Sequence, residues 1–563
     1  MHDRTGHIAL PLLGFVLALA WLSLMLNLPN WPAFWFGINH ARLAPEVIAL
    51  AAACALYGLL RGVRPRAASR SGPGSRAGAG AGPWLLAVVL LVLVALRLAD
   101  LAANLTLGRQ VNLALDLPLL PSILEVLTAS ATPAQLALAA VGIPVVLAGI
   151  LVLNRLSVSA MADFAGRRPA SAVVLAGAVL AAGPVLAGIP GVVQPVHWSV
   201  TALVARQVDL IGGAAALRRD FRTRMDLDPW ASVAPDDLLG GLAGRDVTVV
   251  FVESYGRTVL TEPGFESRIG PLLEQADARL ADAGFSMRSG LLTSPVRGGQ
   301  SWLAHATLLT GLPLSGPSSY AMALTSDRAT LAHLFGRAGY GTAAVMPAIR
   351  RSWPEGRVLG FDRILTAAAL GYSGPDFGWA AIPDQYTLSV LDRIAPTGGA
   401  TFRQVVLISS HGPWRPTPPL VADWDAIGDG TAFRTLTPVP QAAAMQGDYV
   451  QSIDYSLRSL FGWIERSVRE GELVIVLGDH QPAPLITGPD ASADVPVHVI
   501  GRDPDLVGAF AGWGFASGLL PGDGGALPME EFRDRFLATF SGPVSGSPAG
   551  PPAGPVVEAA SGL

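Results

Sequence analysis

Three apolar runs in this chain stop at residues that bind metals or move protons. VTVVFVES (247–254) ends at Glu253, VVLISSHGPW (405–414) at His411, and LVIVLGDHQP (473–482) at Asp479 and His480. One carboxylate at a strand end is often a turn residue or a helix cap. Three such ends in one domain, one of them an Asp-His pair, favour a site. Carboxylate oxygens from Glu253 and Asp479 and an imidazole nitrogen from His480 suit a borderline divalent cation such as zinc or manganese, and they leave a coordination position open. A fourth stretch, RGGQSWLAHATLLTG (297–311), adds a hydroxyl. Gly298 and Gly299 permit tight backbone geometry, the following run reads as a helix start, and Ser301 falls near its positive N-terminus, where anions are favoured. Taken alone, Ser301 also reads as an N-cap. Bound to a cation, its hydroxyl becomes more acidic and could attack phosphorus or sulfur.

The elements that must hold these residues follow from patterning. Between about residues 193 and 540, short apolar runs alternate with helix-like segments and Gly/Pro turns, the pattern of an α/β domain with a mostly parallel sheet. In open sheets of that class, ligands bind beyond the carboxyl ends of the strands, which is where Glu253, His411, Asp479 and His480 fall.

The first third is different. The chain has 563 residues, 51% of them hydrophobic, and a mean hydropathy of +0.43, too apolar for a purely soluble protein. Apolar stretches at 8–28, 43–60, 84–102, 135–154 and 170–192 are each long enough, at about 20 residues, to cross a bilayer as helices. The first exceeds the usual apolar core of a signal peptide, about 7–15 residues, and reads as a retained helix. Arginine gathers at Arg61, Arg64, Arg66, Arg70 and Arg76 and again at Arg155, Arg167 and Arg168, while the other connections carry Arg42 and Arg109. Arginine-rich loops are cytoplasmic, so five spans leave everything after about residue 193 outside. The expected organisation is a five-helix transmembrane part (1–192), a linker (193–240), a catalytic domain (241–540) and a disordered Pro/Gly/Ser/Ala-rich tail (541–563).

Cys54, the single cysteine, lies in the second span, so no disulfide can form within the chain. Arg97 and Asp100, spaced i, i+3 in the third span, read as a helix-end ion pair or as a functional intramembrane pair. A net charge of −4 and the lack of a basic stripe in the outer domain disfavour a nucleic-acid partner.

The order of glutamate at a first strand end, hydroxyl residue at a helix start, histidine after a later strand and then Gly478-Asp479-His480 resembles the sulfatase-like branch of the alkaline phosphatase superfamily. With membrane spans ahead of it, the chain is similar to lipoteichoic acid synthases and lipid A phosphoethanolamine transferases. The resemblance implies that Glu253, Ser301, Asp479 and His480 hold one divalent metal ion (manganese, zinc or magnesium), that Ser301 is nucleophile and covalent carrier, and that His411 assists at the substrate or leaving group. Sulfatases carry C-x-P-S-R-x-x-L-L-T-G. SWLAHATLLTG shares the ending, with Ser301 in place of the cysteine, Leu303 of the proline and His305 of the arginine, and an unmodified serine favours phosphoryl chemistry over sulfate-ester hydrolysis.

In AAVMPAIRRSWPEGR (343–357), Trp353 matches the pocket aromatic of the lipoteichoic acid synthases, while Met346 and Glu355 stand where a histidine and an arginine are expected. Arg350 and Arg351 read as phosphate binders or as exposed surface arginines. Trp414 and Arg415 are expected to line the substrate pocket, Trp414 having packing as its alternative. Pro383-Asp384 reads as a helix start with Asp384 as cap, and His498 as a core histidine or a second-metal ligand. The implied function is a membrane-anchored, metal-dependent phosphotransferase or phosphodiesterase acting on a phospholipid head group or cell-envelope polymer through a phospho-serine. It would sit in the cytoplasmic (inner) membrane with its catalytic domain in the periplasm or exterior, and no obligate protein partner is inferred. A sulfatase- or phosphatase-type hydrolase without transfer and a non-catalytic regulatory module are the other readings.

Overall fold

A computed structural model describes residues 6–27, 44–62, 81–168 and 199–542, with short gaps inside the last two, together with residues 170, 171 and 174. The chain divides into two compact units, Met1–Leu105 with Arg109–Ala215, and Thr106–Gly108 with Ala216–Leu563.

The first unit is helical. Helices run over Gly6–Asn27, Pro45–Gly62, Ala81–Leu107 and Pro133–Arg167, at four of the five expected apolar stretches. Among the described residues, two are long and apolar enough to cross a membrane, Gly82–Leu107 and Pro133–Ala165; Pro11–Asn27 is apolar but shorter. The described helices therefore support two spans and do not confirm five. Most of the 170–192 stretch lies outside the described residues, as do residues 63–80 of the arginine-rich loop and the tail from 543 on. The helices pack through Phe15, Leu22, Val47, Ala51, Val94 and Met161. Arg97 and Asp100 lie 3.7 Å apart, and Asp100 Oδ1 also accepts the backbone N–H of Val111, beyond the helix end, at 3.0 Å. The stretch expected as a linker holds a helix of its own, Ser199–Asp226.

The second unit is built on one sheet. Its strands are β1 Val247–Val252, β2 Ser286–Thr293, β3 Gly341–Met346, β4 Arg363–Thr366, β5 Thr401–Leu407, β6 Leu473–Gly478, β7 Asp494–Gly501, β8 Ala516–Ser517 and β9 Leu527–Pro528. The order is β4-β3-β5-β1-β6-β7-β2-β8, with β9 beside β2. From β4 to β6 every pairing is parallel. β7 then runs antiparallel to both β6 and β2, and β8 antiparallel to β2. The sheet is mixed, where the sequence led to a mostly parallel one. The reason is that strands buried on both faces read as continuous apolar runs whatever their direction.

Alternation explains the layers. Val247, Val249 and Phe251 of β1, with Leu473, Ile475 and Leu477 of β6, feed one core together with Leu303, Leu308 and Leu309. Val250, Val252, Val474 and Val476 feed the other core, against Ile269 and Leu273 of the helix Pro263–Asp282 and Ile453 and Leu457 of the helix Met445–Ser467. Successive strand residues point to opposite faces, so helices cover both sides.

Candidate metal centre

β1 is flanked by β5 and β6, both parallel to it, with Val252 in register with Leu407 on one side and Gly478 on the other. That register places the carboxyl ends of three strands side by side, and the chemistry-bearing residues follow directly. Glu253 continues the ladder, its N–H donating to Leu407 O at 3.0 Å. At Ser254 the backbone turns left-handed, φ 57°, and its N–H donates to Asp479 Oδ1 at 2.8 Å.

The serine arrives from the other core. After β2, Ser294 Oγ donates to Asp479 O at 2.6 Å and Gly298 N–H to Gln481 O at 2.8 Å, which laces the loop to the Asp479–Gln481 turn. Gly298, Gly299 and Gln300 take φ of 68°, 150° and 65°, and Ser301 opens the helix Ser301–Thr310. The N-cap is Gln300, with no side-chain cap bond. Ser301 is thus free of capping, and its hydroxyl donates to Glu253 Oε2 at 3.0 Å with His480 Nε2 at 3.1 Å.

Glu253, Asp479 and His480 each offer a ligand atom, all within 4.8 Å of one another, and all three side chains are buried. Asp479 Oδ1 accepts from Ser254 N–H and from His480 N–H at 2.7 Å, while its Oδ2 is buried with no partner. His480 Nδ1 lies 2.7 Å from Gln481 O. A carbonyl only accepts, so Nδ1 carries the hydrogen and Nε2 presents its lone pair when the ring is neutral, the arrangement in which ligating histidines are held. An orphaned carboxylate oxygen, an oriented imidazole and a second carboxylate form a donor set that fits a divalent cation.

The electrostatics agree with that fit. Burial alone would raise the Glu253 carboxyl, but the charge of His411 and the bond and charge of His480 outweigh it and hold the group well below the carboxylate range. Burial, then the Glu253 charge, push Asp479 up. Burial opposes protonation of His480, yet the two carboxylates raise it to about 9. A cation at this position replaces that proton and removes the repulsion between the carboxylates.

His411 stands beside this group. Its Nδ1 is 2.6 Å from Gly412 O, leaving Nε2 to exchange a proton, and its ring stacks on Trp379 with centroids 3.9 Å apart. Trp379, on the loop before the helix Asp384–Leu391, was not found by sequence reasoning; only its place over His411 marks it. The three expected substrate contacts have the following neighbours. Trp414 is buried, donates its indole N–H to Ser410 O at 2.8 Å and packs edge-on against Tyr449; Arg415 pairs with Asp448; Trp353 rests against Phe361. Arg350 is exposed and donates to Trp379 O at 3.3 Å. His498 is fully buried between Tyr255 Oη, 3.0 Å from Nε2, and Ser289 Oγ, 2.7 Å from Nδ1, and burial lowers it to about 3: it is a core histidine. Asp384 is the first residue of its helix, but Pro383 holds the cap position.

Residues 245–493 match the sulfatase family. Solved structures similar to the chain include the lipoteichoic acid synthase LtaP from Listeria monocytogenes, 14% identical over 48% of this chain and 69% of that one, TM-score 0.34. Others are the C-terminal periplasmic domain of EcEptC from Escherichia coli, 12% identical over 53% and 82%, TM-score 0.35, and the phosphoglycerol transferase GacH from Streptococcus pyogenes in complex with sn-glycerol-1-phosphate, 15% identical over 51% and 74%, TM-score 0.34. No curated protein matches the chain. Within the residues that match the sulfatase family, Glu253, Ser301, Asp479 and His480 converge, with His411 beside them.

Proposed function

We propose that the chain is a membrane-anchored, metal-dependent enzyme that cleaves or transfers the phosphoryl group of a phosphodiester, a lipid head group or cell-envelope polymer, through a phospho-seryl intermediate on Ser301. The observation that carries this reading is the Ser301 hydroxyl, turned away from capping and held between Glu253 and His480. Glu253, Asp479 and His480 would hold the cation with Ser301 as a further ligand. When bound, it lowers the acidity barrier of the hydroxyl and offsets charge on the phosphoryl oxygens.

The serine proton leaves to solvent as Oγ attacks phosphorus, since Glu253, a cation ligand held well below the carboxylate range, only accepts its hydrogen bond. The Oγ–P bond forms and the bond from phosphorus to the leaving alcohol breaks, that oxygen taking a proton from His411 Nε2. Water or an acceptor hydroxyl then attacks phosphorus, returns a proton to His411, and Ser301 recovers its own. The helices Gly82–Leu107 and Pro133–Ala165, with the remaining apolar stretches, would keep the domain at a lipid surface outside the cytoplasm.

The test is metal-dependent release of nitrophenol from bis-nitrophenyl phosphate by the full-length chain in detergent. Ser301→Ala should lower turnover by about a thousand-fold or more without changing the melting temperature of the metal-free protein. Unchanged turnover in that variant overturns the assignment of Ser301. Faster turnover of nitrophenyl sulfate than of the diester would move the substrate to sulfate esters, the alternative that the shared LLTG ending (Leu308–Gly311) keeps open.

A further inference from the structure

The imidazole of His411 is restrained at one edge and over one face. At the edge, Nδ1 lies 2.6 Å from Gly412 O, a bond that ties the ring to its own loop. The ring could still pivot about that bond, and a pivot would swing Nε2. The face contact opposes it, because the Trp379 indole lies on the imidazole with centroids 3.9 Å apart and planes 25° from parallel.

The indole is itself held from several sides. Gly378, φ 62°, runs so close to the His411 loop that a Cβ there would stand 2.6 Å from Arg415 O, an approach and a backbone conformation that favour glycine. Phe377 packs edge-on against Phe433 at 6.0 Å, and its N–H donates to Ala381 O at 3.3 Å. Arg350 donates to Trp379 O at 3.3 Å, and the half-buried indole also packs against the core on the serine-helix side. A loop built in this way places a rigid plane against a ring that must keep its direction.

Resting on the acid role of His411 proposed above, we propose that Trp379 is a positioning residue, whose indole holds the imidazole plane so that Nε2 stays in line with the leaving oxygen. A proton donor must lie within about 2.6–3.2 Å of the atom it protonates, and the hydrogen bond weakens steeply below an angle of about 120°. A tilted ring therefore loses proton transfer while binding continues. The loss falls on kcat, and it is largest where the leaving group needs the proton. Nitrophenolate departs without one, whereas the more basic phenolate does not.

The test compares diphenyl phosphate with bis-nitrophenyl phosphate, using the full-length chain in detergent and the divalent cation that gives the wild type its highest turnover. The variants are Trp379→Leu, Trp379→Phe, His411→Gln and the double variant Trp379→Leu/His411→Gln. Trp379→Leu should lower kcat on the phenyl ester by at least about ten-fold, with KM and the nitrophenyl ester within about three-fold. Trp379→Phe, which keeps a ring on the imidazole, should recover most of the loss. In the His411→Gln background, Trp379→Leu should cost less than about two-fold, since residues that act as a unit are not additive. Equal losses on both esters, a change in KM alone, or a full further loss in the double variant would overturn the proposal and leave Trp379 a packing or substrate-contact residue. Unchanged turnover of both esters in His411→Gln would instead overturn the acid role of His411, and this proposal with it.

Discussion

Ser254 has φ 57° and yet is not glycine, a conformation that costs side chains other than glycine roughly 1–2 kcal/mol. The turn aims its N–H at Asp479 Oδ1, and its carbonyl accepts the Tyr449 hydroxyl at 2.8 Å. Ser254→Val should therefore lower stability by about 1–3 kcal/mol, read as a drop in the melting temperature of the metal-free protein, with weaker binding of an added divalent cation as Asp479 loses its orientation. Ser254→Gly, which adopts the turn freely, should stay close to wild type in both. At this scale the sequence was readable where a charged residue broke an apolar run: Glu253, His411, Asp479 and His480 could be located from VTVVFV, VVLISS and LVIVLG alone. It was not readable at Trp379, whose setting in FGWAAIPD is the same for a packing residue, and whose place over His411 depends on how two loops fold together.

The helix Asp384–Leu391 shows how an element holds a site without touching it. The Asp384 carboxylate accepts the N–H groups of Ile408 and Ser409 at 2.6 and 2.9 Å and the Ser456 hydroxyl at 2.6 Å, so it fixes the chain leaving β5 toward His411. Burial nevertheless raises its pKa from 3.8 to about 6, against those hydrogen bonds. The folded state then holds more protons than the unfolded one between these values, and stability from this group falls as pH rises from about 4 to 6, by up to about 3 kcal/mol. Asp384→Asn, which keeps an acceptor, should flatten this slope in melting temperature against pH measured with chelator present; an unchanged slope would clear Asp384 of the role. Strand existence was evident from composition, but strand direction was not. The connection from β6 to β7 carries the Asp479–Gln481 turn and only the short helix Pro484–Thr487 in place of a crossover helix, and β7 returns antiparallel.

Across the second unit, the serine helix is anchored at its far end by buried charge. Arg328 donates to Thr310 O at 2.6 Å and Leu227 O at 2.7 Å, while the fully buried Arg533 of the helix Glu531–Phe540 clasps both oxygens of Asp228 at 2.8 and 2.9 Å. Arg533→Met should cost about 3–5 kcal/mol, because it leaves Asp228 buried without its partner. Removing the exposed Arg224–Asp220 pair should cost less than about 1 kcal/mol. Melting curves of the two variants give the comparison directly. The division into an apolar helical part and an α/β part was visible in hydropathy, because length and apolarity are summed properties. The helix Ser199–Asp226 was not, since its alternating charged and small residues resemble a polar linker.

The pairing of β1 with β6 also has a consequence during synthesis. Ser254 and Asp479, joined by one hydrogen bond, are 225 residues apart in sequence. A ribosome adds about 5–20 residues per second, so Glu253 and Ser301 emerge on the order of ten seconds or more before the partners that complete their ligand set. Cation capture by this group would thereby be reserved for a chain whose central strand has already been inserted, and loading of a metal would report finished folding, not aid its beginning.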